Sequence, residues 1–179
     1  MTPVDDLRSA ADAVVARVGR DDIERAAEYL DLQAGRLRVP VLDDVGIRDV
    51  LRSSRRIAVV GASTNPGRPS NDVFRGLLAA GYDAVPVNPG ETEVAGVPCF
   101  PTLGAAVAAT GPFDIVDVFR RREACPEHAR EAVATGARCL WLQLGLVSRE
   151  AGRIAHDGGL TVVMDRCTLI ELNRIRRGG

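Results

Sequence analysis

The sequence predicts an α/β fold organised around a doubly wound parallel sheet of five strands. Short apolar runs alternate with amphipathic segments from residue 57 onward, which is the order of consecutive βαβ units. The first apolar run, residues 57–60, contains no polar position, as expected of a strand that is covered on both faces. We therefore expect helices on both sides of the sheet.

Two parts are predicted, a helical extension over residues 1–54 and a Rossmann-like domain over residues 55–179. Apolar residues of the extension recur at helical spacing, which predicts three helices. These helices are expected at residues 4–18, at residues 21–37, and after Asp43 or Asp44. Helices with one apolar stripe gain most of their stability from packing, on their own domain or on another subunit. The extension is therefore a candidate contact surface for a homo-oligomer.

The Rossmann-like domain is predicted to alternate strands and helices up to the C-terminus. The strands are expected at residues 57–60, 84–87, 115–119, 139–144 and 160–164. The helices are expected from near Asp72, after two prolines and with Ser70 or Asn71 as N-cap, and at residues 103–109, 123–135, 148–156 and 169–176. The Gly- and Pro-rich segment after the second strand is predicted to be a long loop. Because strands connected through helices lie parallel, their carboxyl ends should meet at one edge of the sheet.

The composition argues against several classes of function. The net charge is −1, and the 179 residues include only one Trp, two Tyr and four Phe, so no nucleic-acid surface is expected. No apolar run has the length of a membrane span and the N-terminus is too polar for a secretory signal, so we expect no membrane contact and a cytoplasmic location. The four cysteines are widely spaced and the two histidines have no neighbouring ligands, so no metal site is expected.

The loop after the first strand has the features of an anion site. A strand, a loop of small residues and a helix N-terminus present free backbone N–H groups, and the helix dipole favours negative charge there. Arg68 lies in this loop and adds a forked donor of fixed positive charge. A phosphate-bearing nucleotide or cofactor is therefore the first candidate ligand. The alternative is an ordinary βα turn with a solvated arginine, since many such loops carry glycine without a ligand.

NAD fits the strand ends poorly. The fingerprint G-x-G-x-x-G is absent after Gly61, and the second strand ends at Asn88 rather than at an acid that could bind a ribose. Another nucleotide fits better, because Asn88 offers both donor and acceptor, Phe119 can pack on a purine and Arg120 can meet phosphate. The two arginines that follow Arg120 are expected to be solvated.

Six blocks in order carry a resemblance to a known family: GASTNPGRPSN, VPVNPG, GVPCFPTL, VFRRREACPEHAREAVATGA, WLQLG and VVMDRC. Together they resemble the stand-alone CoA-binding proteins, which are similar to the CoA-binding domain of the succinyl-CoA synthetase alpha subunit. The resemblance covers residues 54–176 and implies coenzyme A, or an acyl-CoA, as the ligand. The residues that it places at the ligand are Gly61, Ala62, Ser63, Asn65 and Arg68 with Pro69, Ser70 and Asn71; then Val87, Asn88 and Pro89; Val118, Phe119 and Arg120; and Trp141, Gln143 and Gly145.

The sequence favours a binding protein without catalysis of its own. Neither His128 nor His156 follows a predicted strand, and no paired carboxylates or Ser-His-Asp order mark a catalytic site. A CoA ligase or transferase subunit that needs a partner is one alternative, and an NAD-dependent oxidoreductase is another. Cys167 follows the last strand at the ligand edge, where a disulfide with the CoA thiol or simple packing are both open.

Overall fold

The computed structural model describes residues 19–178, so the helix predicted at residues 4–18 lies outside the described residues. The chain divides into two compact units between Arg38 and Val39. Helix α1, Arg20–Gln33, belongs to the first unit, and all the elements below belong to the second. The boundary predicted after residue 54 stays a prediction.

A five-stranded parallel sheet forms the centre of the second unit, which confirms the predicted fold class. In chain order the strands are β1 Arg56–Val60, β2 Asp83–Val87, β3 Glu93–Val94, β4 Val97–Pro98, β5 Ile115–Val118, β6 Cys139–Leu142 and β7 Thr161–Val163. The sheet has the order β2-β1-β5-β6-β7, and β3 and β4 form a separate antiparallel pair. The strand ends match the predictions to within two residues.

Helices cover both faces of the sheet. They are α2 Asp44–Ser53, α3 Pro69–Ala79, α4 Leu103–Thr110, α5 Cys125–Ala134, α6 Arg149–Asp157 and α7 Thr168–Arg177. α7 contacts α2 and α3 on one face, and α5 contacts α4 and α6 on the other. A 3₁₀ turn, Arg122–Ala124, leads into α5.

The core explains why the strands lack polar alternation. Ile57 and Val59 point to the face where Phe74 and Leu77 of α3 pack, and both strand residues are fully buried. The residues between them on β1 are buried as well, because the other helical layer covers the opposite face. This two-sided burial is typical of parallel sheets and leaves their carboxyl edge as the place where polar groups can reach a ligand.

The predicted start of α3 is wrong. The helix begins at Pro69, with Arg68 as N-cap and no side-chain cap bond, rather than near Asp72 after Ser70 or Asn71. Proline at the first helical position has a suitable φ, and its missing N–H would have no partner there in any case. Asn71 therefore lies inside the helix, and its Nδ2 donates to the carbonyl of Ser63 at 2.7 Å.

The predicted long loop contains a short hairpin that the sequence analysis missed. Ala95 and Gly96 form its tip, and both have positive φ, at 50° and 82°. Two such residues are what a tight turn between twisted strands requires. Val94 is fully buried beneath this turn, so the hairpin packs on the core rather than extending into solvent.

Candidate functional site

The strand order creates a crevice between β1 and β5. From β1 the chain crosses to β2 on one side and later returns to β5 on the other, so the loops after β1 and β5 diverge. Ligands of doubly wound sheets bind at such a switch point, outside the carboxyl ends of the strands. Gly61 follows β1 with a φ of 88°, and a Cβ at this position would collide with the carbonyl oxygen of Phe119. Glycine is therefore required here for both its backbone conformation and its close approach to the β5 loop.

A cavity of about 550 Å³ opens at this edge of the sheet. Its walls come from the loops after β1, β2, β5, β6 and β7 and from the first turns of α3 and α7. The lining residues are Gly61, Ser63, Arg68, Pro69, Ser70, Val73, Asn88, Phe119, Arg120, Gln143, Leu144, Leu146, Cys167 and Ile170. We refer to this cavity as the cleft.

One end of the cleft is positively charged. Arg68 and Arg120 both line it, beside the N-terminus of α3 where the first N–H groups have no intrahelical acceptor. Two guanidinium groups and a helix N-terminus together favour a phosphate group. We refer to this part, formed by the ends of β2, β1 and β5, as the basic end.

Asn88 connects three loops at the basic end. Its Nδ2 donates to the carbonyl of Ala62 at 2.7 Å, and its Oδ1 accepts from the backbone N–H of Gly90 at 3.1 Å. Arg120 Nη2 also approaches Asn88 Oδ1, at 3.4 Å. Asn88 stands where an NAD site would have an acidic residue. Its side chain fixes the loops after β1, β2 and β5 relative to one another.

Glu91 is a further acidic group near the basic end, which sequence reasoning missed. Its carboxylate accepts from the backbone N–H of Thr64 at 3.0 Å and from the Thr64 hydroxyl at 3.1 Å, and Ser63 Oγ lies 3.4 Å away. The bond from the Thr64 backbone is the main cause that lowers the pKa of Glu91 below its usual value. The loop that we expected to bind an anion therefore already holds one carboxylate at its outer side.

The other end of the cleft is apolar. Leu144 and Ile170 are exposed large hydrophobic residues, at 63% and 45% of their full surface, and they face the same space as Leu146 and Cys167. Apolar side chains gathered in a concave site typically contact the apolar part of a ligand. We refer to this part, formed after β6 and β7, as the apolar end. Leu144 is predicted to be the last residue of the fourth strand, but β6 ends at Leu142 and Leu144 lies in the loop that follows.

Two bonds hold the loops of the apolar end. The backbone N–H of Gly145 donates to Asp165 Oδ1 at 2.7 Å, and Asp165 itself has a φ of 55°, which is uncommon for a residue with a Cβ. The indole Nε1 of Trp141 donates to the carbonyl of Arg166 at 2.7 Å. The loop that precedes Cys167 is therefore held by two hydrogen bonds, one at the Asp165 side chain and one at the Arg166 carbonyl.

Several residues that the resemblance placed at the ligand do not line the cleft. Ala62, Val87, Val118 and Trp141 are buried in the core, and Asn71 is buried beneath the first loop. Asn65 and Pro89 are exposed outside the cleft, and Asn65 Oδ1 accepts from the N–H of Gly67. Gly145 shapes the β6 loop with a φ of 81°. Direct ligand contacts of all these residues stay predictions.

A buried polar group lies below the floor of the cleft. Asp117 of β5 is completely buried, and its carboxylate accepts from Gln143 Nε2 and from the Thr168 hydroxyl. Burial without a cationic partner raises the pKa of Asp117 to about 7, against the opposing effect of these two donors. Sequence reasoning missed Asp117 because a single acid within an apolar strand has no pattern of its own.

The model of the CoA binding domain family matches residues 55–173 of the chain. The chain belongs to this family. This CoA-binding domain is 44% identical over 121 residues to the uncharacterized protein YneT of Bacillus subtilis, covering 68% of this chain and 87% of YneT. It is also similar to the structure of a hypothetical protein from Pyrococcus horikoshii, with 36% identity and a TM-score of 0.71 over 75% of this chain and 93% of that one. The structure of cell-free ID.343 from Thermus thermophilus is 34% identical, with a TM-score of 0.69 over 75% and 99% of the two chains.

The groups on the cleft of the CoA-binding domain fit the chemistry of CoA. CoA joins a phosphorylated adenine nucleotide to a long amide-bearing arm that ends in a thiol. The basic end offers Arg68, Arg120 and a helix N-terminus for the phosphates, and the apolar end offers leucine and isoleucine side chains for the arm. From β1 to β7 the sheet edge spans three strand spacings, about 14 Å, which suits an extended ligand rather than a compact one.

The two histidines of the chain do not line the cleft. His128 is in α5, and its Nδ1 lies 2.8 Å from Glu131 Oε2 of the same helix. His156 is in the last turn of α6. In the described part of the chain no cluster of three His, Cys, Asp or Glu side chains could hold a metal. Over the same residues, no helix is long and apolar enough to cross a bilayer.

Proposed function

We propose that this protein binds CoA, or an acyl-CoA, in the cleft along the carboxyl edge of its sheet, without a catalytic reaction of its own. The observation that carries the proposal is the polarity of the cleft. Arg68 and Arg120 stand at one end and Leu144 and Ile170 at the other, in a chain that belongs to the CoA binding domain family. An ionic nucleotide and an apolar arm need such a pair of environments in one ligand site.

The proposed binding mode assigns the phosphates to the basic end. The N–H groups at the start of α3 and the two guanidinium groups supply charge-assisted hydrogen bonds there. Phe119 is half-buried beside Gly61 and offers a ring to the purine. The amide-bearing arm then runs toward β6 and β7, and its thiol ends near Cys167.

The absence of a catalytic step is part of the proposal. The cleft presents guanidinium, amide, hydroxyl, thiol and apolar groups; the Asp117 carboxyl below its floor is completely buried, and the Glu91 carboxylate at its outer side is bonded to Thr64. A protein of this kind would hold CoA for another protein or keep its thiol from reacting. A cytoplasmic location and a homo-oligomer formed by the N-terminal helices stay predictions.

A ligand titration tests the proposal. A ligand that binds only the folded state raises its stability by RT ln(1 + [L]/Kd), or about 2.7 kcal/mol at a concentration of one hundred times Kd. We expect CoA and acetyl-CoA to raise the melting temperature, and NAD and ATP to have little effect at the same concentrations. Calorimetry of the same four ligands gives the affinities. Stabilisation by NAD but not by CoA would show that the assignment is wrong.

A further inference from the structure

Gln143 is held by an unusual set of buried acceptors. Its Nε2 lies 2.7 Å and 2.9 Å from the two carboxylate oxygens of Asp117, and 2.8 Å from the hydroxyl oxygen of Thr168. The Thr168 hydroxyl in turn donates to Asp117 Oδ2 at 3.0 Å. Asp117 and Thr168 are both completely buried, and Gln143 retains 5% of its surface. The three side chains thus form a closed network below the floor of the cleft.

While Asp117 is ionised, this network permits only one orientation of the Gln143 amide. The opposite orientation would place the amide oxygen against the Asp117 carboxylate, so that two acceptors would meet in a buried site without a donor between them. The NH2 group therefore points into the protein. The amide oxygen Oε1 is left on the side of the cleft that Gln143 lines.

The free acceptor lies in an apolar part of the cleft. Among the described residues, no buried side-chain nitrogen or oxygen lacks a partner, and no protein donor reaches Gln143 Oε1. Leu144, Leu146, Cys167 and Ile170 line the same cleft as Gln143. A single fixed acceptor among apolar groups selects strongly for a ligand donor, because a ligand without one would bury the acceptor unpaired.

We infer that Gln143 Oε1 accepts a hydrogen bond from an amide N–H in the arm of the bound ligand, and that Asp117 and Thr168 are positioning residues that hold the amide in this orientation. The inference rests on the proposed function. It goes beyond CoA binding in that it assigns recognition of the arm, as distinct from the nucleotide, to a buried network on β5, β6 and α7. The network selects for an N–H donor and does not contact the phosphates.

The test compares three ligands on the full-length protein: CoA, desulfo-CoA, which keeps the amides and lacks the thiol, and adenosine 3′,5′-bisphosphate, which lacks the arm. Gln143→Met removes the acceptor and keeps the side-chain length. Thr168→Val and Asp117→Asn remove one acceptor of the network, and the asparagine variant allows the Gln143 amide to turn over. Thr161→Val is the matched control, because it removes a threonine hydroxyl that donates to the carbonyl of Arg138 and does not line the cleft.

We expect Gln143→Met to weaken CoA and desulfo-CoA by about tenfold each, the loss of one hydrogen bond to a desolvated acceptor, and to change adenosine 3′,5′-bisphosphate by less than about twofold. Asp117→Asn and Thr168→Val should give the same pattern with smaller losses, and Thr161→Val should leave all three affinities within about twofold. A melting curve of each variant confirms that it is folded. A purely structural role would weaken all three ligands together.

Five outcomes overturn the inference. Equal losses for all three ligands in Gln143→Met would place the effect in the fold, and unchanged CoA affinity would show that Oε1 has no donor in the complex. A loss for CoA with no loss for desulfo-CoA would transfer the contact to the thiol. If the wild type binds adenosine 3′,5′-bisphosphate but gains nothing from the arm of CoA, the inference fails while a nucleotide site survives. If the wild type binds none of the three, the proposed function fails as well.

Discussion

Asn88 and Asn71 show how a side chain can serve a ligand site without touching a ligand. Asn88 fixes three loops through its amide, and Asn71 holds the carbonyl of Ser63 from below. Both asparagines could be predicted from the sequence as site residues, since they lie at a strand end and a helix start. Their hydrogen-bond partners could not be predicted, because these bonds join residues that are distant in sequence and meet only after the sheet has formed. The sequence therefore predicts well which loops form the site. It predicts less well which atoms of each loop face the cleft.

Arg68 is the residue whose proposed role is simplest to test. It is exposed at the N-cap of α3 and lines the basic end, so its guanidinium group has no buried function to lose. We expect Arg68→Ala to weaken CoA binding by about 1.5–3 kcal/mol, the range for a charge-assisted hydrogen bond. The free energy of unfolding should change by less than about 0.5 kcal/mol. Calorimetry with CoA and urea denaturation measure the two quantities.

Arg153→Ala is the matched control for that experiment. Arg153 is an exposed arginine of α6 that pairs weakly with Asp157 at 3.9 Å and does not line the cleft. Its removal changes the net charge by the same amount and should leave CoA affinity unchanged. Equal effects of the two substitutions would mean that Arg68 acts only through the overall charge of the protein.

At the scale of elements, the regular helices and the parallel strands were predictable and the hairpin was not. The helix expected to begin at Ser148 has that residue as its N-cap, which accepts from the backbone N–H of Ala151 at 3.2 Å; a cap is a local pattern of a few residues and can be seen in the sequence. The hairpin has strands of only two residues each. Its two strands are too short to show alternation, so only the Ala95 and Gly96 turn could have indicated it.

The N-terminal helices offer a prediction at the same scale. The unit that holds the sheet begins at Val39, and the backbone N–H of Leu42 is already bonded to the carbonyl of Val162 on β7. We therefore expect a chain without residues 1–38 to stay folded and to bind CoA. If the removed helices join subunits, light scattering should give a smaller mass for the shortened chain than for the full chain.

The two possible failures of that experiment have different meanings. An unchanged mass would remove the proposed role of these helices in self-association. Insoluble or unfolded material, detected by circular dichroism, would show that the helices complete the fold instead. A second truncation that starts at residue 44 serves as the control, because it also removes the Leu42 bond and should destabilise the sheet.

For the whole molecule, the buried acid makes stability depend on pH. The pKa of Asp117 is raised from its ordinary value to about 7, so the folded state binds a proton more tightly than the unfolded state does. The contribution of Asp117 to stability is then fully present below about pH 4 and is lost as the pH rises to about 7. Cys139 on the neighbouring strand is also buried, and its pKa is raised to about 12, so it stays neutral in this range.

Asp117→Asn should remove this pH dependence. The variant cannot ionise at position 117, so its free energy of unfolding relative to the wild type should improve by about 4 kcal/mol between pH 4 and pH 8. Urea denaturation at several pH values measures the difference. A constant difference between the two proteins across this range would mean that Asp117 does not titrate in it. Glu91→Gln is the control, since Glu91 is a half-buried acid whose pKa is shifted in the opposite direction.

The walls of the cleft come from positions between residue 61 and residue 170, so no short segment of the chain contains the site. The ribosome releases residues in order from the N-terminus, and the basic end is therefore synthesised well before Cys167 and Ile170. If CoA occupies the whole cleft as proposed, the nascent chain completes this site only after β7 and the first turn of α7 have emerged. Until that moment the exposed edge of the growing sheet has no ligand to protect it, and it must depend on rapid folding or on chaperones.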